Sequence, residues 1–509
     1  MDRELDNIVI VGGGTAGWLS ALFAQSKFPN SNITLIESNN VPIIGVGEST
    51  QPTFIHVLDY LGIPVSRLVK ECSTTIKNSI KFTNWSSNGE SYYHNFFDYD
   101  RLQILNPSSI NPLLLFMIEQ DLPIPFRTTT DFLDTNYKVP AILTDVKDQR
   151  NKIFDFNIFE NYAIHIHALE IVDLFKKIAN ERGIKRIEGR VIDFENNKYD
   201  EISSIKLENG TIIKSDFILD CSGLTRLIIG KYYKTEWKSY SDVLTVNSAI
   251  PFQIEMEEKI PPYTEAVAMK YGWIWRIPLQ NRYGCGYVFD SKYISDDEAK
   301  QEIEEYLGYK PEYPRDSSIK FEAGLYKETW TKNCVAIGLA AGFIEPLEAT
   351  SIQSTVFALN ELFKDPSSLL RRNKINAKLY NKRIIKFNDE IANFINLHYI
   401  TDRTDTDFWK QFQDTSKSFD QIKNLIEQWK YEVPSFIQNN DILFYRISSW
   451  IIVADGNNII NKNLIKQYLD SVPGLRDYCT REYENFLSQF ISLVEKSMDH
   501  REFLEYLKN

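Results

Sequence analysis

A short glycine-rich segment near the beginning of the chain constrains the fold more than any other feature. It lies between an apolar run, Ile8–Val11, and a run that predicts a helix, Ala16–Gln25, and it fits the pattern G-x-G-x-x-G. The segment consists of Gly12, Gly13, Gly14, Thr15, Ala16 and Gly17. In this pattern the first glycine permits a tight turn, the second lets the backbone approach a pyrophosphate, and the third allows close helix–strand packing. The segment therefore predicts a strand–turn–helix unit whose helix start receives phosphates.

An acidic residue at the end of the next predicted strand strengthens this interpretation. Ile33–Glu37 predicts that strand, and Glu37 stands 20 residues after Gly17, where a carboxylate can bind ribose hydroxyls. The alternative is a glycine-rich turn on a βαβ unit that binds nothing, but such a turn rarely needs Glu37 as well. We therefore predict a dinucleotide-binding βαβ unit.

The rest of the chain predicts an α/β body followed by helices. From Asn373 onward the pattern is almost entirely helical, for example over Tyr483–Lys496, with breaks at Pro434 and at the turn Asp455–Asn457. We divide the chain into residues 1–385, an α/β nucleotide-binding module, and residues 386–509, a mostly helical region that covers the substrate. Before Asn373 the predicted strands are Ile187–Phe194, Ile202–Leu207, Thr211–Ile213, Phe217–Asp220, Glu265–Ile277, Gly284–Phe289 and Cys334–Leu339, and the predicted helices are Ala168–Asn180 and Thr350–Lys364.

Charge and composition argue against several classes of function. The net charge is −12 and no run is rich in Lys and Arg, so nucleic acids and anionic membranes are poor partners. No apolar run reaches 18 residues, and the first residues lack the features of a signal peptide, so we expect neither a membrane span nor secretion. The 5 cysteines have no paired spacing, which predicts neither a disulfide framework nor a zinc site and favours the cytoplasm.

The number of glycine motifs favours FAD over NAD. The chain has one such motif, since Gly284–Gly286 lies inside a strand pattern and opens no helix. A flavoprotein that reduced its own flavin would often carry a second nucleotide site. The small residues Ala340–Gly342 follow the predicted strand Cys334–Leu339, where FAD folds bring a segment to the ribitol. We therefore predict a Rossmann-type FAD-binding fold that receives its electrons from another protein.

Four segments together make the chain similar to the flavin-dependent halogenases, in particular the branch typified by tryptophan halogenases. They are Gly12–Trp18 (GGGTAGW), Gly45–Thr50 (GVGEST), Trp273–Pro278 (WIWRIP) and Glu345–Ser351 (EPLEATS). The second resembles the strap that lies along the flavin. The third matches the W-x-W-x-I-P motif that distinguishes these enzymes from flavin monooxygenases. The fourth resembles the family segment E-P-L-E-S-T-G, which lies at the end of the flavin where the halide binds. The resemblance runs from residue 7 to about 400. The flavin contacts predicted from motif and resemblance together are Gly12, Gly13, Gly14, Thr15, Ala16, Gly17, Glu37, Ser38, Val46, Gly47, Ser49, Val191, Leu339 and Ile352.

The resemblance implies that FADH2, supplied by a separate flavin reductase, and oxygen oxidise chloride, bromide or iodide to hypohalous acid. A lysine then steers this oxidant to an electron-rich aromatic substrate. Lys77 stands at the family position, and Lys81 competes with it, because Lys77, Ser79 and Lys81 would share one face of a single strand. Periodicity does not choose between the lysines, but the similarity of Ile80–Phe82 to the family's I-K-F selects Lys77. The role requires an amine shielded from bulk water.

The resemblance assigns a second catalytic role to Glu348, which orients the oxidant or accepts the proton lost from the ring. The alternatives are a glutamate that caps the following helix, or Glu345 in the same role. Thr350 and Ser351 would offer backbone N–H groups to the halide at a helix start. Ala349 replaces the family serine and Ser351 the family glycine. The first change removes a hydroxyl, and the second bears on halide preference.

Aromatic residues mark the expected substrate side. His94 and Phe96 resemble the pair that sandwiches indole, and Phe444-Tyr445 resembles a Phe-Trp pair on the opposite wall. An ordinary core histidine is an equally good interpretation of His94. No Tyr-Tyr-Glu cluster that would hold an amino acid precedes Phe444, so we expect an indole- or phenol-like substrate and not free tryptophan.

Two other pairs have structural interpretations. Trp273 and Trp275 alternate on a predicted strand, where they pack in the core or wall the substrate off from the flavin. His165 and His167 lack cysteine or carboxylate partners in the pattern, so we predict structural roles and no metal site.

Two other functions compete with a halogenase. An FAD-dependent aromatic monooxygenase has no use for a buried lysine, and a non-catalytic flavin-binding protein has no need of both Lys77 and Glu348. Family analogy alone suggests a homodimer.

Overall fold

A computed structural model of the protein describes residues 5–38, 47–96, 111–122, 127–143, 154–156, 161–371, 374–434 and 444–508. The strands are β1 Asn7–Val11, β2 Asn32–Glu37, β3 Glu48–Ser49, β4 Thr75–Lys77, β5 Ser79–Thr83, β6 Ser91–Asn95, β7 Ala141–Leu143, β8 Phe154–Phe156, β9 Ala163–Ile166, β10 Lys185–Glu188, β11 Val191–Asn196, β12 Ile202–Leu207, β13 Ile212–Lys214, β14 Phe217–Asp220, β15 Trp237–Ser239, β16 Ser248–Glu255, β17 Tyr263–Ala268, β18 Gly272–Pro278, β19 Arg282–Phe289, β20 Ile319–Lys320, β21 Gly324–Tyr326, β22 Trp330–Thr331, β23 Cys334–Ala336 and β24 Gly342–Phe343.

The α-helices follow the sequence pattern and become frequent after residue 350. They are α1 Thr15–Lys27, α2 Thr53–Tyr60, α3 Val65–Glu71, α4 Pro112–Glu119, α5 Thr129–Thr135, α6 Ala168–Glu181, α7 Asp296–Leu307, α8 Thr350–Phe363, α9 Pro366–Arg371, α10 Lys374–Tyr399, α11 Asp407–Lys410, α12 Asp420–Trp429, α13 Ile447–Gly456, α14 Lys462–Ser471, α15 Leu475–Lys496 and α16 His500–Lys508. None of the helices in the described ranges combines the length and the apolarity needed to cross a lipid bilayer.

The first of two compact units consists of Met1–Thr74, Ile166–Thr245 and Lys320–Ile391. Its central sheet has the order β10-β2-β1-β14-β23-β22, and its strands are parallel except for β22. The strands β1 and β14 are almost wholly apolar because both faces of the sheet are covered. Helix α1 packs on β1 and β2, and residues of β12 pack into the same apolar core as β1 and β14. This arrangement places the glycine segment at the carboxyl end of β1.

The second unit consists of Thr75–His165, Val246–Ile319 and Ala392–Asn509. Its main sheet includes the neighbouring strands β16-β19-β18-β17-β5-β6, which are antiparallel except where β17 runs parallel to β5. The strand β4 pairs with β9 in a separate ladder, with Lys77 opposite Ala163. The helices from α11 to α16 all lie in this unit.

Most predicted elements are confirmed to within two residues, and three predicted strands are divided or shortened. Ile187–Phe194 is two strands, because the chain leaves the central sheet at Gly189 and β11 pairs with β12. Glu265–Ile277 is interrupted by a turn in which the Met269 N–H donates to the Gly272 carbonyl. The strand from Cys334 ends at Ala336, because Gly338 adopts a φ of +67° and begins a 3-10 turn that contains Leu339.

The predicted helical region after residue 373 is confirmed by α10 to α16. Residue 385 lies inside α10, which continues without a break to Tyr399. The functional division at that residue stays a prediction. The predicted turn at residues 455–457 begins slightly too early, because α13 continues to Gly456 and the turn starts at Asn457, which caps the helix.

Candidate active site

The glycine segment forms a loop between β1 and α1 in which a Cβ would collide with backbone at Gly12 and Gly17 and with the Glu37 side chain at Gly13. Gly12 has a φ of +121°, and a Cβ there would lie 2.1 Å from the carbonyl oxygen of Cys221. A Cβ on Gly17 would lie 1.9 Å from the carbonyl oxygen of Gly12. At Gly14, by contrast, a Cβ would meet no atom within 4 Å. Sterics therefore support the turn role of Gly12 and the packing role of Gly17, whereas the approach of a pyrophosphate to Gly14 stays a prediction.

The start of α1 has the properties of an anion site. Its N-cap is Gly14, which contributes no side-chain hydrogen bond, and no acidic residue lies in the first turn. The first N–H groups of a helix have no partner within the helix, and the helix dipole favours negative charge there. The backbone of Thr15 and Ala16 is therefore suited to a pyrophosphate.

Glu37 lies beside this loop. Its side chain is buried, and its Oε2 occupies the position 1.8 Å from where a Cβ of Gly13 would be. Its Oε1 pairs with Arg186 Nε and lies 3.4 Å from Lys176 Nζ. Two cations thus fix the carboxylate next to the phosphate-binding loop, which is where a ribose hydroxyl would need it.

The other predicted flavin contacts are distributed over several elements. Ser38 follows β2, Gly47 is buried, Ser49 lies in β3, Val191 begins β11, and Ile352 is buried in α8. Val46 lies outside the described residues. Leu339 lies in the 3-10 turn after β23.

Glu48, in the same segment as Gly47, has a property that the sequence pattern did not reveal. Burial raises the pKa of the Glu48 carboxyl to about 7. A raised carboxyl pKa is typical of functional sites, so Glu48 joins the candidate residues of this segment.

The segment from Glu345 to Ser351 forms a strained turn before α8. Glu348 and Ala349 both adopt left-handed backbone conformations, with φ of 65° and 57°. Such a conformation costs a residue other than glycine about 1–2 kcal/mol. Two hydrogen bonds stabilise the turn, from Gln51 Nε2 to the Glu348 carbonyl (2.6 Å) and from Thr350 Oγ1 to the Glu345 carbonyl (2.9 Å). The strain is retained at a buried glutamate, which is typical of functional segments.

The predicted halide residues begin α8. Thr350 and Ser351 are its first two residues, and Ala349 precedes them as an N-cap without a side-chain hydrogen bond. The Thr350 hydroxyl already donates to Glu345, so an anion here would meet backbone N–H groups. Glu348 is buried, and the N-cap of α8 is Ala349, so the role of Glu348 as an acid and its alternative role at the start of this helix both stay predictions.

The structure distinguishes the two candidate lysines. Lys77, the last residue of β4, is 0% exposed, and its Nζ lies 5.1 Å from the centre of the Phe96 ring. Lys81 lies in β5, is partly exposed, and has its Nζ 3.7 Å from Glu265 Oε1. The expectation that both lysines share a face of one strand is wrong, because the chain changes sheets at Asn78, whose N–H donates to the Pro262 carbonyl. Only Lys77 has the shielded position that the predicted role requires.

Three of the four predicted substrate residues, His94, Phe444 and Tyr445, belong to an aromatic cluster, and the fourth, Phe96, lies beside Lys77. His94 is buried, and its ring centre lies 6.2 Å from that of Tyr445 and 5.5 Å from that of Phe394. Tyr445 stacks on Phe394 at 3.9 Å and contacts Phe444 at 4.7 Å. The structure therefore brings His94 and Phe444-Tyr445 together. Sequence reasoning missed Phe394, which lies within the uniform helical pattern of α10 where nothing sets it apart.

The two tryptophans of WIWRIP lie on the same face of β18, as predicted. Their ring centres are 6.3 Å apart. The ring of Trp275 covers Gly286 on β19, where a Cβ would lie 2.1 Å from it. This contact explains the glycine in the strand pattern Gly284–Gly286, and it supports core packing for Trp275.

The two histidines with expected structural roles have hydrogen-bonding partners in the protein. His165 lies between the hydroxyls of Thr75 and Thr264, and His167 accepts from the N–H of Glu170 at the start of α6. No grouping of His, Cys, Asp or Glu suited to a metal ion occurs in the part of the chain that the structure describes.

Comparisons with known proteins agree with these features over nearly the whole chain. The family model described as tryptophan halogenase matches residues 7–473. Tryptophan 7-halogenase RebH of Lentzea aerocolonigenes is 33% identical over 431 residues, which cover 81% of this chain and 79% of RebH. A tryptophan halogenase structure from Shewanella frigidimarina has a TM-score of 0.86 at 25% identity, covering 100% of this chain and 98% of that one. The structure of BrvH, a flavin-dependent halogenase from a Brevundimonas species, has a TM-score of 0.85 at 27% identity, covering 99% and 100%. These likenesses confirm the predicted α/β flavin-binding fold with its helical C-terminal region.

Proposed function

The chain belongs to the flavin-dependent tryptophan halogenase family, and from this membership we propose that Lys77 directs an oxidised halogen onto an electron-rich aromatic other than free tryptophan. Members of the family are two-component oxidoreductases that use FADH2 from a separate flavin reductase. The buried amine of Lys77 beside Phe96 is the observation that carries the proposal.

The residues at the start of α1 fit the cofactor. The open space at Gly14, the uncapped helix start and the fixed carboxylate of Glu37 would hold the pyrophosphate and the ribose. When bound, FADH2 would give two electrons to O2, which takes two more from the halide, so that one oxygen atom ends in hypohalous acid and the other in water. We place the halide at the backbone N–H groups that begin α8, near Thr350 and Ser351.

Lys77 would then control where the oxidant reacts. An amine that is fully removed from bulk water can hold hypohalous acid without losing it to solvent. As the aromatic carbon forms its bond to the halogen, the halogen–oxygen bond breaks, and the oxygen takes a proton from the Lys77 ammonium to leave as water. The role requires a fixed amine, which the ladder between β4 and β9 provides.

Glu348 would take the proton that the ring loses. The substituted ring carries one excess proton, and a carboxylate is a competent base for it. The strained turn and its bonds from Gln51 and Thr350 hold the backbone of this residue in one conformation. A glutamate whose backbone is held in this way would need less reorganisation when the proton arrives.

The substrate proposal rests on an aromatic cluster and on a sequence that lacks the residues expected to hold an amino acid's charged ends. Phe96 is partly exposed beside Lys77, and His94, Phe394 and Tyr445 form the aromatic cluster of the same unit. RebH is a tryptophan 7-halogenase, but the sequence of this chain before Phe444 lacks the Tyr-Tyr-Glu cluster. We therefore propose an indole- or phenol-like substrate.

A substrate panel tests this function. The purified protein, supplied with FAD, NADH, a flavin reductase and NaCl, NaBr or NaI, should halogenate indoles or phenols with kcat/KM at least tenfold above that for tryptophan. Mass spectra should show the doublet of bromine isotopes in the product. Products that gain only oxygen would identify a monooxygenase, and an unreacted panel with every halide would contradict the proposal. Tryptophan as the best substrate would refute the substrate assignment alone.

A further inference from the structure

The strand that carries Lys77 is short and is held by a histidine from the far end of the chain. His500, the first residue of α16, is fully buried beside β4. The backbone N–H of Ile76 donates to His500 Nε2 at 2.9 Å. His500 Nδ1 lies 3.1 Å from the Ile260 carbonyl oxygen. One ring thus connects the residue before Lys77 to the segment that leads into β17.

These two contacts fix the protonation of the ring. A backbone N–H is always a donor, so Nε2 must be the unprotonated acceptor, and the Ile260 carbonyl then requires the proton on Nδ1. His500 is therefore the neutral Nδ1–H tautomer. Burial lowers its pKa from 6.5 to about 4, in agreement with this assignment.

A second buried histidine holds the other end of β4 in the same way. The Thr75 hydroxyl donates to the Pro278 carbonyl at 2.6 Å, so its oxygen accepts from His165 Nδ1 at 2.8 Å. His165 Nε2 then accepts from the Thr264 hydroxyl at 2.9 Å. Two neutral rings consequently hold consecutive residues, Thr75 and Ile76, immediately before the lysine.

Several hydrogen bonds to the backbone around His500 fix its position. The His500 N–H donates to the Tyr137 carbonyl (2.9 Å), and residues 139 and 141 bond to Met498. Lys138 Nζ donates to the carbonyls of Val494 (2.7 Å) and Ser497 (2.8 Å). The ring therefore cannot shift without moving the end of α15 and the start of α16.

We propose that His500 is a positioning residue for Lys77, an inference that rests on the role of Lys77 under the proposed function. By accepting the Ile76 N–H, His500 sets the direction in which the next side chain leaves β4. It touches neither substrate nor oxidant. Its loss therefore lowers the rate of halogen transfer and leaves substrate binding unchanged, because a reacting group misplaced by about 1 Å loses up to about a hundredfold in rate.

Three substitutions of His500 separate its two contacts. In His500→Gln the amide oxygen can take the place of Nε2 and accept from Ile76. In His500→Asn the amide can replace only Nδ1, and in His500→Phe neither contact remains. We expect kcat for bromination to fall by about tenfold to a hundredfold in the Phe and Asn variants and by less than about threefold in the Gln variant. KM for the aromatic substrate and the affinity for FAD should stay within twofold of wild type.

Leu504→Ala is the matched control for stability, because Leu504 is buried in α16 and makes no bond to β4. It should lower the melting temperature at least as much as His500→Phe and leave kcat unchanged. Wild-type kcat in His500→Phe, or an equal fall of kcat in Leu504→Ala, would overturn the inference. Lys77→Ala separates a failure of the proposed function from a failure of the positioning role. If Lys77→Ala keeps full halogenation, the proposed function fails. If Lys77→Ala is inactive and His500→Phe keeps the wild-type kcat, only the positioning role fails.

Discussion

At the scale of single residues, the glycine loop shows that two glycines of one motif can be needed for different reasons. Gly12 cannot be replaced without strain, because its φ is +121° and a Cβ would collide with the carbonyl of Cys221. At Gly14 the protein leaves open space, so a Cβ would obstruct only a ligand that approached the backbone there. Both appear as the same letter in the sequence motif. The structure therefore separates a glycine that the fold needs from one that only a bound ligand would need.

This difference predicts opposite results for two similar variants. Gly12→Ala should lower the free energy of unfolding by roughly 3 kcal/mol or more, because the new Cβ would collide with backbone. Gly14→Ala should change it by less than about 1 kcal/mol and should weaken FAD binding at least tenfold, because its Cβ projects where the pyrophosphate would approach. Urea denaturation and fluorescence titration with FAD measure the two quantities. Equal stability losses in the two variants, or wild-type FAD affinity in Gly14→Ala, would contradict this account.

At the scale of elements, the neutral histidines around β4 make its packing sensitive to acid. The pKa of His165 lies well below 6.5 because of burial and then because of Lys77 and His500, and the pKa of His500 is about 4. Each histidine takes up a proton near pH 6.5 when unfolded but resists protonation when folded. The stability they contribute is complete above pH 6.5 and is lost as the pH falls toward 4.

The size of this effect for His500 can be tested by substitution. When the pH falls from 7.5 to 5, the lowered pKa of His500 should reduce the unfolding free energy of the wild type by about 2 kcal/mol. His500→Gln has no titrating group at this position and should not show this loss. Asp131, whose pKa burial raises to about 6, acts in the opposite direction, but it is present in both proteins. Denaturation curves at the two pH values give the difference directly. Parallel losses in both proteins would show that His500 is not held neutral.

At the scale of the whole molecule, the sequence predicted the chain's class and its main chemical groups. The βαβ unit and the helical C-terminal region are visible in periodicity and motifs, because they depend on neighbours in the sequence, whereas the choice of Lys77 rests on the family resemblance. The separation of Lys77 from Lys81 by a change of sheet, the left-handed turn at Glu348 and Ala349, and the contact of His500 with Ile76 depend on tertiary pairing. No pattern of spacing encodes such contacts between residues 424 positions apart.

The central claim is that one buried lysine couples the oxidant to the substrate, and its most direct measurement is the yield of brominated product per FADH2 oxidised. Lys77→Ala should oxidise FADH2 at the wild-type rate and lose at least about a hundredfold in this yield. Lys81→Ala, which removes the neighbouring lysine that pairs with Glu265, should keep the wild-type yield. An unchanged yield in Lys77→Ala, or equal losses in both variants, would contradict the account.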